Sequence, residues 1–386
     1  MIVFITGATG FLGGELVVNL SKENKIKKIY CLIRASDEKE AMFRLEKIFS
    51  LHNDFLDQTK IVPVLGDLYD EQLTGKLIKK RELKKINLII HAAANTSFSR
   101  IFDEMIVKAN IDGLNKILVW AKQLDNLTTF LYIGTATSCG RDIQNRLIHE
   151  NESPDLKASH LVKYTYTKMQ GELLLHSHLP EEKILIARPS IIMGDSRKIT
   201  PRSPVILWAL ATVNSLRLCT INANATIDVI PVDFAAEAIV KLLFAQRNHR
   251  VYHISAGKNS ASTPNQIFTS IGSHFNDLPK FKFVHKSLLD QMKKWAKGSL
   301  DLNEELYKYT PYLNYWEEIF HDKKNLRVIL AGLEPYIEFI ALGQIFDNSR
   351  LLNDVDIMPP KPVHDYIINS INYIKKINLL EGAIDS

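Results

Sequence analysis

Six short runs of consecutive apolar residues punctuate the first half of the chain: Ile2 to Ile5, Ile29 to Ile33, Ile61 to Leu65, Leu88 to Ile90, Phe130 to Ile133 and Ile184 to Ala187. None alternates apolar with polar, as expected of strands covered on both faces. Between them the spacing turns helical, with Leu16, Val17 and Leu20 on one stripe of Gly13 to Leu20, and Leu114, Leu118 and Ala121 on one stripe of Ile111 to Lys122. Repeated strand and helix units of this kind predict an α/β fold with a doubly wound parallel sheet.

From Pro201 the alternation fades. An apolar segment, SPVILWALATV, precedes two stretches that read as returns to the sheet, IDVIPVD and RVYHISAG. Beyond about Lys258 helical and aromatic patterns dominate, including YKYTPYLNYW, and a proline-marked loop, MPPKP, precedes a last helix. A chain of 386 residues is large for one core. The pattern divides it into residues 1–258, a cofactor-binding domain to which 201–227 belong or from which they reach the other lobe, and residues 259–386, a smaller, mostly helical substrate lobe. There is no internal repeat.

Composition narrows the classes. The 48 Lys and Arg against 43 Asp and Glu leave a net charge of +5, without the clustered basic excess of a nucleic-acid binder. The 3 cysteines, Cys31, Cys139 and Cys219, are widely spaced and form no CxxC pair, so neither a zinc site nor a disulfide framework is expected, and a reducing cytoplasm is the natural setting. The amino terminus, MIVFITGATG, reads as a buried strand entering a glycine loop and not as a secretion signal. The longest apolar candidate for a span, Leu326 to Phe346, is broken by Arg327, Glu334, Pro335 and Glu338, which leaves peripheral membrane contact open but not insertion.

The glycine loop TGATGFLGG, Thr6 to Gly14, follows a predicted strand and opens a predicted helix. In that setting Gly7 makes the tight turn, Gly10 lets the backbone approach a pyrophosphate, and Gly13 allows the helix to pack closely, with the phosphates at the helix amino end beside Thr9, Phe11 and Leu12. At the end of the second strand, where an acidic residue would grip the ribose hydroxyls of NAD, stands Arg34. Its guanidinium suits a 2′-phosphate and favours NADPH. Arg44, in the next helix, reads either as a second cation for that phosphate or as a surface residue. Asp67 and Leu68 close the third strand, where Asp67 can meet an adenine amino group. Ala92 and Ala93 close the fourth, either letting the cofactor lie against the backbone or simply packing tightly.

Of the 13 tyrosines only Tyr164 has a lysine, Lys168, four residues later, which on a helix puts both on one face. A neighbouring ammonium favours phenolate and so prepares a tyrosine to deliver a proton. Thr135 stands at the carboxyl edge of the preceding strand, over the same crevice as the glycine loop. Thr135 to orient a carbonyl oxygen, Tyr164 to protonate it and Lys168 to hold a nicotinamide ribose make a complete hydride-transfer site.

These motifs, TGATGFLG, Arg34, GDL, HAAA, KANIDGL, Thr135, YTYTK, ARPSIIMG and IDVIPVD, occur in the order seen in extended short-chain dehydrogenases/reductases. Within them the chain resembles the thioester reductases, the group that includes fatty acyl-CoA reductases and the terminal reductase domains of carboxylic acid reductases and peptide synthetases. The likeness covers roughly residues 1 to 258. It implies a Rossmann domain with a carboxyl-terminal substrate lobe, catalytic roles for Thr135, Tyr164 and Lys168, a buried Asn110 that helps position the lysine through water, and cofactor contacts at Pro189 and Ser190. One departure is Gly134 before Thr135, where the group commonly has serine, so that a secondary hydroxyl is missing.

The resemblance implies NADPH-dependent reduction of an acyl thioester, carried by coenzyme A or an acyl-carrier protein, to an aldehyde and, with a second hydride, an alcohol. None of the cysteines reads as a nucleophile; Cys139 reads as a buried apolar residue. Pro204 to Val213 and Leu326 to Phe346 suit the walls of an acyl pocket, a membrane-facing surface or ordinary core helices. Two other readings share the fold: a reductase or epimerase of a nucleotide sugar, sterol or ketone, and a cofactor-sensing regulator without chemistry, which would not need Tyr164 and Lys168.

Overall fold

Each apolar run becomes a strand because its alternate side chains have two different hydrophobic layers to enter. In the computed structural model, which describes residues 1–152, 155–197, 204–298 and 303–385, the strands are β1 (Ile2–Thr6), β2 (Lys28–Ile33), β3 (Ile61–Leu65), β4 (Leu88–His91), β5 (Thr129–Ile133), β6 (Ile184–Pro189) and β7 (Val251–Ile254). They form one parallel sheet in the order β7-β6-β5-β4-β1-β2-β3. Val3, Ile5, Ile29, Cys31, Ile90, Leu131 and Leu185 enter one layer, and Phe4, Tyr30, Leu32, Ile89, Phe130 and Ile186 the other. The first layer is closed by α1 (Phe11–Lys22) and α2 (Glu38–Leu51). The second is closed by α3 (Leu73–Lys79), α4 (Gly113–Ala121) and the carboxyl end of α5 (Lys163–His178). This is the doubly wound architecture expected of the sequence. Its strand order reverses between β1 and β4, which opens a crevice at their carboxyl ends.

RVYHISAG joins the sheet as β7, but IDVIPVD does not. Val229–Ile230 pairs only with Ile191–Ile192, as a two-residue parallel ladder beyond the end of β6. The run is cut short on both sides. Asp228 is buried and accepts the N–H groups of Ala256 and Phe346, while Pro231, which has no N–H to offer a ladder, precedes α7 (Val232–Phe244), which packs on the first layer of the sheet.

The second core is built by α6 (Pro204–Leu216), α8 (Pro264–Gly272), α9 (Lys286–Ala296), α10 (Thr310–Phe320) and α11 (Lys323–Ile340), together with Phe98 and Val162 from the first half of the chain. Within SPVILWALATV, Ser203 lies outside the described residues. Farther on, Leu351 and Val355 return to the sheet's first layer. Among the described residues no helix is long and apolar enough to cross a membrane.

One buried ion pair locks α5 to the sheet. Arg188 of β6 donates from Nε to Glu172 Oε1 at 2.9 Å and from Nη2 to Oε2 at 2.7 Å, with the two side chains 5% and 2% exposed. The pair also explains Gly134. A Cβ there would stand 2.9 Å from Glu172 Oε1, so a larger residue has to push half of a buried ion pair out of place. Gly134→Ala is expected to lower stability by about 1–3 kcal/mol, measured as a lower urea midpoint with an unchanged slope. An unchanged midpoint would show that Glu172 has room to yield.

Candidate active site

The crevice is a cleft of about 790 Å³, within the range of cofactor and substrate sites. Along it the chain brings together Gly7, Thr9, Gly10, Phe11, Leu12, Gly13, Arg34, Asp67, Leu68, Ala92 and Ala93. At its other end stand Thr135, Tyr164, Lys168, Pro189 and Ser190.

The glycine loop is cut to the space it occupies. Gly7 has φ +73°, and a Cβ on it would lie 2.6 Å from Ala93 N and 2.7 Å from the Ala92 carbonyl carbon. A Cβ on Gly13 would strike Gly7 O at 2.0 Å, so the close packing that Gly13 permits is of helix against loop. Thr6 ties the two adjacent strand ends together: its backbone oxygen accepts Ala92 N–H at 3.3 Å and its hydroxyl accepts Ala93 N–H at 3.2 Å. At the start of α1 no side chain caps the helix and no acidic residue occupies its first turn. That end is free to meet a pyrophosphate, and Arg34 at the end of β2 faces the same cleft, so the residues present fit a phosphorylated dinucleotide.

Two predicted residues are placed elsewhere. Arg44 does not line the cleft; its guanidinium is 2.6 Å from Glu40 on the preceding turn of α2, which draws it away as a second phosphate cation. Asn110 is buried in a π-helical turn, Lys108–Asp112. Its Oδ1 accepts Asn95 N–H at 2.7 Å, and its Nδ2 donates to Asn95 O at 3.0 Å and to Thr167 Oγ1 at 2.9 Å. Through these bonds Asn110 ties the loop after β4 to α5 in the turn that carries Lys168.

Tyr164 and Lys168 share the cleft-facing side of α5, but burial works against the phenolate expected from their spacing. The Tyr164 hydroxyl is pushed up to about 12 by burial, offset in part by a hydrogen bond with Thr135. The Lys168 ammonium is pushed down to about 7 by burial, against the opposing charge of Glu172 one turn along. Lys168 Nζ donates to Ile133 O at 2.7 Å and lies 4.9 Å from the centre of the Tyr132 ring. In the protein alone, therefore, Tyr164 is a firmly protonated acid and Lys168 a weakly held cation.

The sequence reading missed several residues of the site. Thr137, three residues beyond Gly134, lines the cleft with its hydroxyl 2.9 Å from that of Thr135, so a second hydroxyl stands beside Thr135. Phe98, in the loop after β4, stacks near Tyr164 at 6.4 Å and on Tyr336 of α11 at 4.7 Å, and meets Phe339 of α11 edge-on at 5.0 Å. Only the apolar pattern of Leu326 to Phe346 hinted at that wall. Cys139 is partly buried and its thiol is pushed up to about 12 by burial, which leaves it unsuited to nucleophilic attack. Among the described residues no group of His, Cys, Asp and Glu is arranged to hold a metal.

Comparison with known proteins places this geometry. The probable fatty acyl-CoA reductase 5 of Arabidopsis thaliana is 22% identical over an alignment of 440 positions, gaps included, that covers 90% of this chain and 88% of that protein. Fatty acyl-CoA reductase 2 of Mus musculus is 26% identical over 303 residues, which take in 66% of this chain but only 58% of the longer mouse protein. The crystal structure of the terminal R domain from the myxalamid PKS-NRPS biosynthetic pathway superposes with a TM-score of 0.70 at 20% identity, covering 96% of this chain and 89% of that one. Residues 5–239, more than half of the chain and including the glycine loop, Thr135, Tyr164 and Lys168, match the NAD-binding family described as male sterility protein, so the chain belongs to that family of NAD(P)-dependent reductases.

Proposed function

We propose that this protein reduces an acyl thioester with NADPH, releasing an aldehyde and a thiol. The observation that carries the reading is the meeting of two unlike surfaces in one cleft. Thr135, Tyr164 and Lys168 form a polar end, and Phe98, Ile206, Tyr336 and Phe339 form an apolar wall that offers a sugar nothing to hydrogen-bond apart from one tyrosine hydroxyl. Arg34 supports NADPH over NADH.

When bound, the dihydronicotinamide supplies hydride to the thioester carbonyl carbon. The chain's own residues do the rest. Thr135, its hydroxyl paired with that of Thr137, orients the carbonyl oxygen beside Tyr164. Tyr164, fully protonated at neutral pH, gives its proton to that oxygen as negative charge develops there. Collapse of the resulting hemithioacetal breaks the carbon–sulfur bond: its hydroxyl proton returns to the Tyr164 phenolate as the carbonyl re-forms as aldehyde, the thiolate leaves, and a proton from solvent makes the thiol, which accounts for the one proton consumed overall. Lys168 holds the nicotinamide ribose. Once drawn from Ile133 O toward that ligand, its charge lies where it stabilises a phenolate, the role for which its spacing from Tyr164 suits it.

The direct test follows NADPH absorbance with acyl-CoA and acyl-carrier substrates and identifies products by mass. Consumption of a ketone or nucleotide sugar, with no thioester consumed, would overturn the reading. Tyr164→Phe is expected to lower kcat by about 10²–10⁴-fold with little change in cofactor affinity; undiminished turnover removes Tyr164 as the acid. Arg34→Ala is expected to weaken NADPH binding by about ten- to a hundredfold and leave NADH binding nearly unchanged, the loss of one or two charge-assisted hydrogen bonds. For pH, Lys168 is cationic below about 7 and neutral above it in the free protein. Affinity for NADPH is therefore expected to fall as pH rises through that value, and Lys168→Met to bind more weakly and to lose that limb of the titration.

A further inference from the structure

A second cavity lies against the aromatic wall of the cleft. Ile191, Ile206 and Tyr336 line both the cleft and this cavity, of about 70 Å³, behind them. Ala209 and Val213 of α6 and Ile340 of α11 form sides of this annex, and no charged side chain lines it. An apolar cavity of this kind stays dry and takes apolar ligands. The walls that belong to the annex alone are core residues: Ile221, Ile267 and Phe268 are 7%, 4% and 9% exposed. Phe268 is backed in turn by Phe281, its ring stacked at 4.0 Å, so this wall does not yield to a longer ligand without disturbing the packing behind it.

We propose that the annex receives the methyl end of the substrate's acyl chain and that its core wall sets the longest chain accommodated in line. The assignment rests on the thioester-reductase reading and deepens it. Between Tyr164 and the annex stand Phe98 and Tyr336, whose rings stack at 4.7 Å, so a chain with its carbonyl at Tyr164 meets aromatic side chains on its way and enters the annex as they part. By comparison with a cavity of about 150 Å³ that holds benzene, the annex has room for about three carbons.

The test measures kcat/KM over a series of saturated straight-chain acyl-CoAs for the wild-type protein, Ala209→Phe and Phe268→Ala. For the wild type, kcat/KM is expected to rise about fourfold per added methylene while the methyl end fills the annex, and to stop rising at a definite length. Ala209→Phe, which fills the annex, is expected to move that break to chains shorter by about three carbons, a loss of about sixtyfold at the former optimum. Ala209 is buried and its replacement can fail to fold. Phe268→Ala only removes atoms and is expected to move the break the other way, to longer chains. A break at the same length in both variants, or no break in the wild type, overturns the annex as the seat of the chain end. A wild-type protein that consumes no acyl thioester of any length overturns the reductase reading itself, an outcome distinct from either.

Discussion

The ion pair between Arg188 and Glu172 is the constraint on which the reactive end of the molecule depends. Both side chains lie almost wholly out of water, so neither charge is tolerable without the other. Their two-pronged contact fixes α5 against β6, and α5 carries Tyr164 and Lys168. The same carboxylate occupies the space beside Gly134, 2.9 Å from where a Cβ would stand, and it lies one helical turn from the Lys168 amine. A single contact thereby fixes the helix that carries Tyr164 and Lys168, places a carboxylate that opposes the loss of the lysine's charge on burial, and restricts what the neighbouring strand can carry at Gly134.

Burial gives the cleft its electrostatic character. With Lys168 donating to Ile133 O and Tyr164 paired with Thr135, the resting protein holds a protonated phenol and an ammonium with little preference for its charge. Neither state requires strain. Each follows from removing water around a group whose charged form water had stabilised. A ligand that brings hydroxyls and phosphates into the cleft would restore part of that solvation and raise the Lys168 ammonium back toward its ordinary range. The hydroxyls of Thr135 and Thr137 add two short side chains whose orientation is set by the turn they begin, so the carbonyl-facing end is organised before substrate enters.

The apolar end is assembled differently. Its wall takes Phe98 from the loop after β4, Ile206 from α6 and Tyr336 and Phe339 from α11, residues separated by more than a hundred positions in places. The hydrophobic cluster containing them is continuous with the core of the helical lobe, so substrate-facing and stabilising side chains belong to one packed body. Changes of side-chain volume in α6, α8 or α11 therefore act on stability and on the shape of the cleft together.

The strands and their order of appearance were legible in the sequence because a sheet covered on both faces demands uninterrupted apolar runs, and these stand out against helical spacing. The glycine loop was legible for a similar reason: Gly7 and Gly13 occupy places where a single Cβ would collide with backbone, a requirement local enough to be written in a few residues. Thr135, Tyr164 and Lys168 could be singled out because strand ends and one helical turn determine where they project. What tertiary structure alone decided was every matter of partnership. Arg44 is claimed by Glu40, Asn110 by Asn95 and Thr167, and IDVIPVD by Asp228 and Pro231 in place of the sheet. The Thr137 hydroxyl meets that of Thr135, and Phe98 meets α11 across the cleft. Such pairings are set by distances between segments far apart in the chain. Periodicity reports which face of an element is apolar, but the energy of a charge or a hydroxyl depends on what that face finally meets.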